Sequence, residues 1–206
     1  MLILMLAGDI SQRNANADTV LTLAAKNTSE DDRLVILINY EEIPSAKIMQ
    51  SNMEFLPVPN ATLGALATLA FGLSRIPENT PFIVVPSNST IPASEISAFS
   101  NLMIKTKSMV GAVVFEGTSP LYSYARLDSD GLIMEVVEKQ VVGSCAMAGI
   151  FFFGDKVTLS ECIKWAMVNN AHTEGKFFIA PALNYFIAKS QSISLFHINP
   201  DMYTRL

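Results

Sequence analysis

The chain has 206 residues, of which 50% are hydrophobic and only 16% charged. This composition excludes a disordered chain. Fourteen Lys and Arg residues against nineteen Asp and Glu residues give a net charge of −5. That balance excludes a broad nucleic-acid or anionic-membrane surface, although a few amides and one or two cations suffice for local phosphate binding.

The only cysteines are Cys145 and Cys162, which lack CxxC spacing. A disulfide scaffold and a structural zinc site are therefore excluded, and a reducing, cytoplasmic setting is expected.

Apolar runs bounded by turn residues predict strands buried on both faces at residues 2–6, 33–38 and 81–85. The first run is too short for a membrane span and lacks the basic residues of a signal peptide. Residues 62–74, which read TLGALATLAFGLS, show helical spacing and precede Pro77. The alternation of strand and helix predicts an α/β fold with right-handed crossovers.

The middle of the chain has a different pattern. Residues 110–116, 122–127 and 133–138 are short and alternating, and DSDG at 128–131 predicts a hairpin turn. Further elements follow in chain order: a strand at 148–153, helices at 160–170 and 181–188, and a strand at 192–198. We therefore predict one domain over residues 1–206, of the α/β class, with a mixed, mainly parallel central sheet and flanking helices.

The segment after the first strand is the first candidate site. Ala7 and Gly8 at the strand end would let a ligand approach the backbone closely, and Arg13 would meet a phosphate with its two-pronged guanidinium. The segment is neither a GxGxxG motif nor a P-loop. Since many strand ends carry glycine and many loops carry arginine, an ordinary loop remains the alternative.

Glu138 and Lys139 close the predicted strand 133–138 and form the second candidate site. They are either an exposed ion pair, which contributes little, or a ligand-binding pair. In the second interpretation Glu138 accepts a hydrogen bond from a ligand hydroxyl and Lys139 neutralises a phosphate. No HExxH or GxSxG pattern is present, so zinc hydrolysis and serine-elbow chemistry lack their usual signatures.

Taken in order, these segments resemble the sugar-phosphate nucleotidyltransferases, which have a glycosyltransferase-A-like sheet and join an NTP to a sugar 1-phosphate. The resemblance is strongest in the second half, at SYARLDSDG (123–131) followed by IMEVVEK (133–139), AGIFFF (148–153) and KFFIAPALN (176–184). The family patterns at these places are S-Y-x-x-L-D-x-D-G-x-V-x-x-V-x-E-K, x-G-I-Y-x-F and E-F-Y-V-A-P-x-Y-N. The first half is similar more loosely, through Leu6-Ala7-Gly8, Arg13 and TLGALAT at 62–68.

The resemblance implies a role for each matching position. Arg13 would be the catalytic residue, placed on the phosphates of the nucleotide. The other positions would bind substrate: Leu6, Ala7 and Gly8 along the nucleotide, Thr62 and Gly64 near the base, Glu138 and Lys139 on the sugar and its phosphate, and Gly149 beneath the sugar. Asn88, after the third predicted strand, is also assigned to substrate binding. The implied partners are a nucleotide, a sugar phosphate or both, and a homo-oligomer is open, whereas nucleic acid and membrane are not expected.

The departures from the family pattern concern the reacting centre. Residues 14–18, NANAD, stand where the family has a Pro-Lys whose lysine stabilises the transferred phosphoryl group. Ser87 or Asn88 stands where the family has an aspartate for Mg²⁺, and a neutral amide is a poor ligand for a hard cation. The chain stops at Arg205-Leu206, about where the segment with a second metal aspartate should begin. No metal ligand is therefore assigned, and Mg²⁺ is expected only if the protein is active.

Three functions remain open at this point. We favour nucleotidyltransferase-like ancestry with impaired or lost chemistry. In the first alternative, the protein is a nucleotidyltransferase-like domain that makes or handles a nucleotide sugar, for example for a surface polysaccharide. Alternatively it is a non-catalytic module of the same fold that binds a nucleotide or sugar phosphate, and the missing charges favour this function, because phosphoryl transfer depends on positioned charge. A glycosyltransferase would need a DxD metal pair, and Asp128-Ser-Asp130 is better explained as turn chemistry.

Overall fold

A computed structural model of the chain describes residues 1–7, 31–39, 51–59 and 62–205. Eleven strands are assigned within these ranges: β1 (Leu2–Ala7), β2 (Arg33–Asn39), β3 (Met53–Val58), β4 (Phe82–Pro86), β5 (Ser89–Thr90), β6 (Val110–Glu116), β7 (Ser123–Leu127), β8 (Ile133–Glu138), β9 (Cys145–Phe153), β10 (Ser194–His197) and β11 (Thr204–Arg205). The α-helices are α1 (Ala65–Gly72), α2 (Ala93–Lys105), α3 (Lys156–Val168), α4 (Ile179–Ala182) and α5 (Asn184–Ala188). Single 3₁₀ turns follow α1 and precede β11.

Nine of these strands build one mixed sheet in the order β10-β6-β9-β4-β1-β2-β3, with the β7–β8 hairpin attached to β9. Strands β5 and β11 form a separate two-stranded sheet. Strands β1 to β4 are mutually parallel where they pair, and β10 is parallel to β6. Strand β9 is antiparallel to β4, β6 and β7. The predicted α/β class with a mixed, mainly parallel sheet is confirmed.

Helices cover both faces of the sheet and explain the continuous apolar runs. Alternate residues of a strand point to opposite faces, so Leu2 and Leu4 pack in one core with α1, α3, α4 and α5, while Ile3 and Met5 pack in the other with α2. Within the described ranges, no helix has the length and apolar character that a bilayer span requires.

Several boundaries differ from the sequence-based prediction. Helix α3 begins at Lys156 rather than residue 160, because the Asp155 carboxylate accepts a hydrogen bond from the Thr158 amide and caps the helix there. The helix predicted at 181–188 is two short helices, α4 and α5. Strand β3 and helix α2 were not predicted. The DSDG turn is confirmed, since the Asp128 carboxylate accepts from the Asp130 and Leu132 amides.

Strand β9 pairs with two different strands, β4 and β7, along one of its edges, and we call this place the fork of the sheet. On one edge it pairs with β6, and a register shift leaves residues 148–150 of β9 opposite a single residue of β6. On its other edge β4 pairs with residues 151–153 and β7 with residues 146–147. The carboxyl end of β4 and the amino end of β7 therefore face each other across an interruption at residues 148–150.

Candidate functional site

A cavity of about 330 Å³ lies at this fork. The end of β4 and the residues after it form one side, from Pro86 to Ser89, while Leu121, Tyr122 and Ser123 form the opposite side. Met147, Ala148 and Gly149 of β9 lie between them. The start of α1, the end of β8 and the 174–180 segment close the remaining walls. The cavity is thus at the carboxyl ends of parallel strands, where open α/β sheets bind ligands.

The structure brings most of the sequence-predicted substrate-binding residues together in this cavity. Its lining includes Leu6, Thr62, Gly64, Asn88, Glu138, Lys139 and Gly149. Ala7 is fully buried at the end of β1 and is not part of the lining. Gly8 and Arg13 lie outside the described residues. The ligand roles of all these positions remain predictions, although their convergence is what those roles require.

Gly149 is fixed by the backbone of the fork. Its φ of 79° lies in the left-handed region that glycine adopts without strain. A Cβ at this position would also come within 3.3 Å of Pro86 Cγ. A side chain here would therefore press β4 and β9 apart at the floor of the cavity.

Glu138 presents its carboxylate to the cavity from the last position of β8. The Ser123 hydroxyl on the paired strand β7 donates to Glu138 Oε2. Burial raises the pKa of the Glu138 carboxyl, while the Ser123 hydrogen bond and the charges of Lys139 and Arg205 partly oppose that rise. The Glu138 carboxylate is largely shielded from water, and one of its oxygens accepts from Ser123. Its remaining acceptor positions are suited to the hydroxyl groups of a polar ligand.

Lys139 follows Glu138 in a strained backbone conformation, with a φ of 56°. Its Nζ lies 3.3 Å from Glu174 Oε2 and 5.6 Å from the centre of the Phe178 ring. The Glu174 side chain is highly exposed, so this ion pair contributes little stability. The ammonium group is consequently available to an anion entering the cavity.

Asn184 at the start of α5 holds β8 in place. Its side-chain amide accepts from the Val136 amide at 2.9 Å and donates to the Val136 carbonyl at 2.8 Å. The side chain thus pairs with the free edge of β8 as a neighbouring strand would. These two hydrogen bonds lie two residues before Glu138 and fix the direction of the end of β8.

The cavity residues that were not predicted to be part of a site include Ser123, Glu174, Lys176, Tyr203 and Arg205. Ser123 and Lys176 fall within the segments 123–131 and 176–184 that resemble the family, so the sequence contained information from which their place in the site could have been predicted. Nothing in the local sequence of residues 199–205 indicates that this segment reaches the cavity.

The donor set at the end of β4 does not fit the Mg²⁺ that the resemblance implies. Ser87 and Asn88 offer neutral oxygens there, and Mg²⁺ is bound in proteins mainly through carboxylates and phosphates. Of the described lining residues only Glu138 and Glu174 carry carboxylates, and these are engaged by Ser123 and Lys139. Among the residues that the structure describes, no three potential ligands from His, Cys, Asp and Glu converge.

The DxD sequence at residues 128–130 lies outside the cavity. Asp128 holds the β7–β8 turn through its carboxylate, and neither it nor Asp130 lines the cavity. The motif is therefore explained by the turn, and the glycosyltransferase alternative has no support from the described residues.

The fold is that of the sugar-phosphate nucleotidyltransferases. The described chain is similar to the crystal structure of a nucleoside-diphosphate-sugar pyrophosphorylase from Vibrio cholerae, with a TM-score of 0.74 and 15% sequence identity over 100% of this chain and 95% of that one. It is also similar to a protein assigned as a glucose-1-phosphate thymidylyltransferase from Bacillus anthracis, solved in complex with sucrose, with a TM-score of 0.71 and 14% identity over 100% and 89% of the two chains. Comparisons with protein-family models and with curated proteins found no match.

Replacing Glu138 by Gln should raise thermal stability at neutral pH. The raised pKa means that the folded protein holds its proton more tightly than the unfolded chain, so the wild type loses stability as pH rises above the ordinary carboxyl range. The amide of the variant avoids this loss. The gain in stability over wild type should vanish below that pH range, where the Glu138 carboxyl is protonated in both the folded protein and the unfolded chain. Unfolding temperature measured across pH tests this.

Glu135→Gln on the same strand is the matched control. The exposed guanidinium of Arg126 lowers the pKa of Glu135, so this substitution should reverse the sign of the effect at neutral pH. An unchanged or lowered unfolding temperature of Glu138→Gln at pH 7 would contradict the raised pKa of that partly buried carboxyl.

Proposed function

We propose that this protein binds a sugar phosphate, either free or as part of a nucleotide sugar, and that its capacity for nucleotidyl transfer is impaired or lost. The observation that carries the proposal is the adjacent Glu138 and Lys139 in one cavity with Gly149 as its floor. A carboxylate for hydroxyls beside an ammonium for phosphate is the pair of groups that a sugar phosphate requires.

The loss of transfer is supported by the charges at the reacting centre. No lysine occurs between residues 8 and 18, and the groups after β4 are the neutral Ser87 and Asn88. Removing one group that stabilises transition-state charge commonly lowers a rate by a factor of about 10² or more. The proposal includes the cytoplasmic location that the cysteine content favours. It also includes the place in nucleotide-sugar or surface-polysaccharide synthesis that the sequence resemblance implies.

Calorimetry with glucose 1-phosphate, UDP-glucose and dTTP tests binding, and release of pyrophosphate from dTTP and glucose 1-phosphate tests transfer. We expect binding of at least one phosphorylated sugar and no measurable pyrophosphate. Glucose is the matched control, since it lacks the phosphate that Lys139 would hold. Failure of every phosphorylated sugar to bind would refute the proposed ligand, and rapid pyrophosphate release would show a working enzyme instead.

A further inference from the structure

The C-terminal segment brings a second strong cation to the cavity. Strand β11 pairs antiparallel with β5, and this register sets Arg205 opposite Ser89. Strand β5 follows directly after Ser87 and Asn88 at the end of β4. Arg205 therefore lines the cavity beside the neutral groups that stand where a metal carboxylate was expected.

Aromatic packing holds this segment against the sheet. The Tyr203 ring stacks on Phe115 with centroids 4.4 Å apart and meets the Tyr122 ring edge-on at 5.6 Å. The Tyr203 hydroxyl hydrogen-bonds with Ser89 of the neighbouring strand. The backbone that carries Arg205 is thus fixed by contacts that involve neither its own charge nor a ligand.

The Arg205 guanidinium is oriented by neutral groups and forms no ion pair with a described residue, although its charge acts on the nearby Glu138 carboxyl. Its Nη1 donates to the Leu121 carbonyl at 2.7 Å, and its central carbon lies 5.7 Å from the centre of the Tyr122 ring. The other three arginines of the described residues, Arg33, Arg75 and Arg126, each form an ion pair with a carboxylate, whereas Arg205 forms none with a described residue. A guanidinium has five N–H donors, so most of its donors remain for a ligand.

The charges that line the cavity leave a positive excess. Lys139, Lys176 and Arg205 are cationic and only Glu138 and Glu174 are acidic, which gives three against two among the described lining residues. One of the two carboxylates, Glu174, is already paired with Lys139. An overall acidic protein that concentrates cations at one cavity is suited to an anionic ligand there.

We propose that Arg205 is a phosphate ligand of this cavity and supplies the positive charge that a divalent cation would otherwise carry, so that the phosphorylated ligand binds without Mg²⁺. The inference rests on the proposed function. The planar guanidinium matches two phosphate oxygens at once, and Lys139 supplies a point charge within the same cavity. The ligand class is a sugar phosphate or a sugar joined to a diphosphate.

The test measures the dissociation constants of glucose 1-phosphate and UDP-glucose by calorimetry, in buffer with Mg²⁺ and in buffer with EDTA. For wild type we expect the same affinity in both buffers. Arg205→Gln should weaken binding by about tenfold or more, as expected for loss of hydrogen bonds to a charged group, and Arg205→Lys should weaken it less. Arg126→Gln, which removes an exposed arginine of β7 outside the cavity, should bind as wild type does.

Each outcome decides the inference. Wild-type binding that depends on Mg²⁺, or equal affinity of wild type and Arg205→Gln, would overturn the role of Arg205 while leaving the proposed function intact. No binding of either ligand by wild type would overturn both. If Arg205→Gln fails to fold, the affinity of Arg205→Lys and the wild-type comparison of Mg²⁺ with EDTA still decide the matter.

Discussion

Replacement of Lys139 by Ala should weaken binding of glucose 1-phosphate by about tenfold to a hundredfold, as expected for loss of hydrogen bonds to a charged group. The ammonium is the cation adjacent to Glu138, and its partner Glu174 is exposed, so a phosphate can replace that weak pair. Lys139→Met keeps most of the aliphatic length of the side chain without its charge and should lose binding to the same extent. Affinity for glucose 1-phosphate, measured by calorimetry, checks the effect.

Lys164→Met provides the matched control for charge removal. Lys164 pairs with Glu161 on the exposed side of α3 and lies outside the cavity lining. It should leave the affinity unchanged. Undiminished affinity in Lys139→Ala would refute the placement of phosphate at this residue, whatever the behaviour of Arg205.

Replacement of Gly64 by Ala should destabilise the protein by about 3 kcal/mol or more, which lowers the unfolding temperature by roughly 10 °C in a chain of this size. Gly64 has φ 98° and ψ 175°, a conformation essentially restricted to glycine. A Cβ there would lie 2.5 Å from the Phe177 carbonyl oxygen, which accepts the Leu66 amide at 3.0 Å. The clash would therefore separate the start of α1 from the segment that carries Lys176 and Phe178.

Gly131→Ala is the reference for a positive-φ glycine without a clash. Gly131 also has a positive φ, of 79°, but nothing lies within 4 Å of a Cβ built there. Its substitution should lower stability by about 1 kcal/mol, the strain of a left-handed residue alone. Thermal unfolding of both variants measures the difference, and equal losses would show that the close approach of Phe177 to Gly64 is unimportant.

The sequence predicted the elements whose signal is local. Continuous apolar runs gave β1, β2 and β4, because strands covered by helices on both faces have no polar side. Strand β3 was missed since its sequence MEFLPV contains Glu54 and Pro57, which are tolerated because β3 lies at one edge of the sheet formed by the described strands. The start of α3 was misplaced although its cap, Asp155, was visible in the sequence.

The candidate site was predictable to the extent that neighbours in the chain are also neighbours in the cavity. Glu138 and Lys139 are adjacent in sequence and share one strand end, so a motif could identify them. Arg205 lies 67 residues after Glu138 (205 minus 138) and reaches the cavity only because β11 pairs with β5. That pairing depends on Tyr203 packing against Phe115 and Tyr122, contacts that no local pattern indicates.

The amino-acid sequence by itself determined the layered architecture, because the period of apolar residues fixes which faces of a strand or helix are buried. It also determined that the residues after β4 carry no negative charge. Only the tertiary structure decided where the charges meet: the fork of β9 holds β4 and β7 apart, and the resulting cavity collects side chains from segments remote in the chain. The physical reason is that burial patterns are local properties of a chain, whereas a binding site is built from distances between its remote parts.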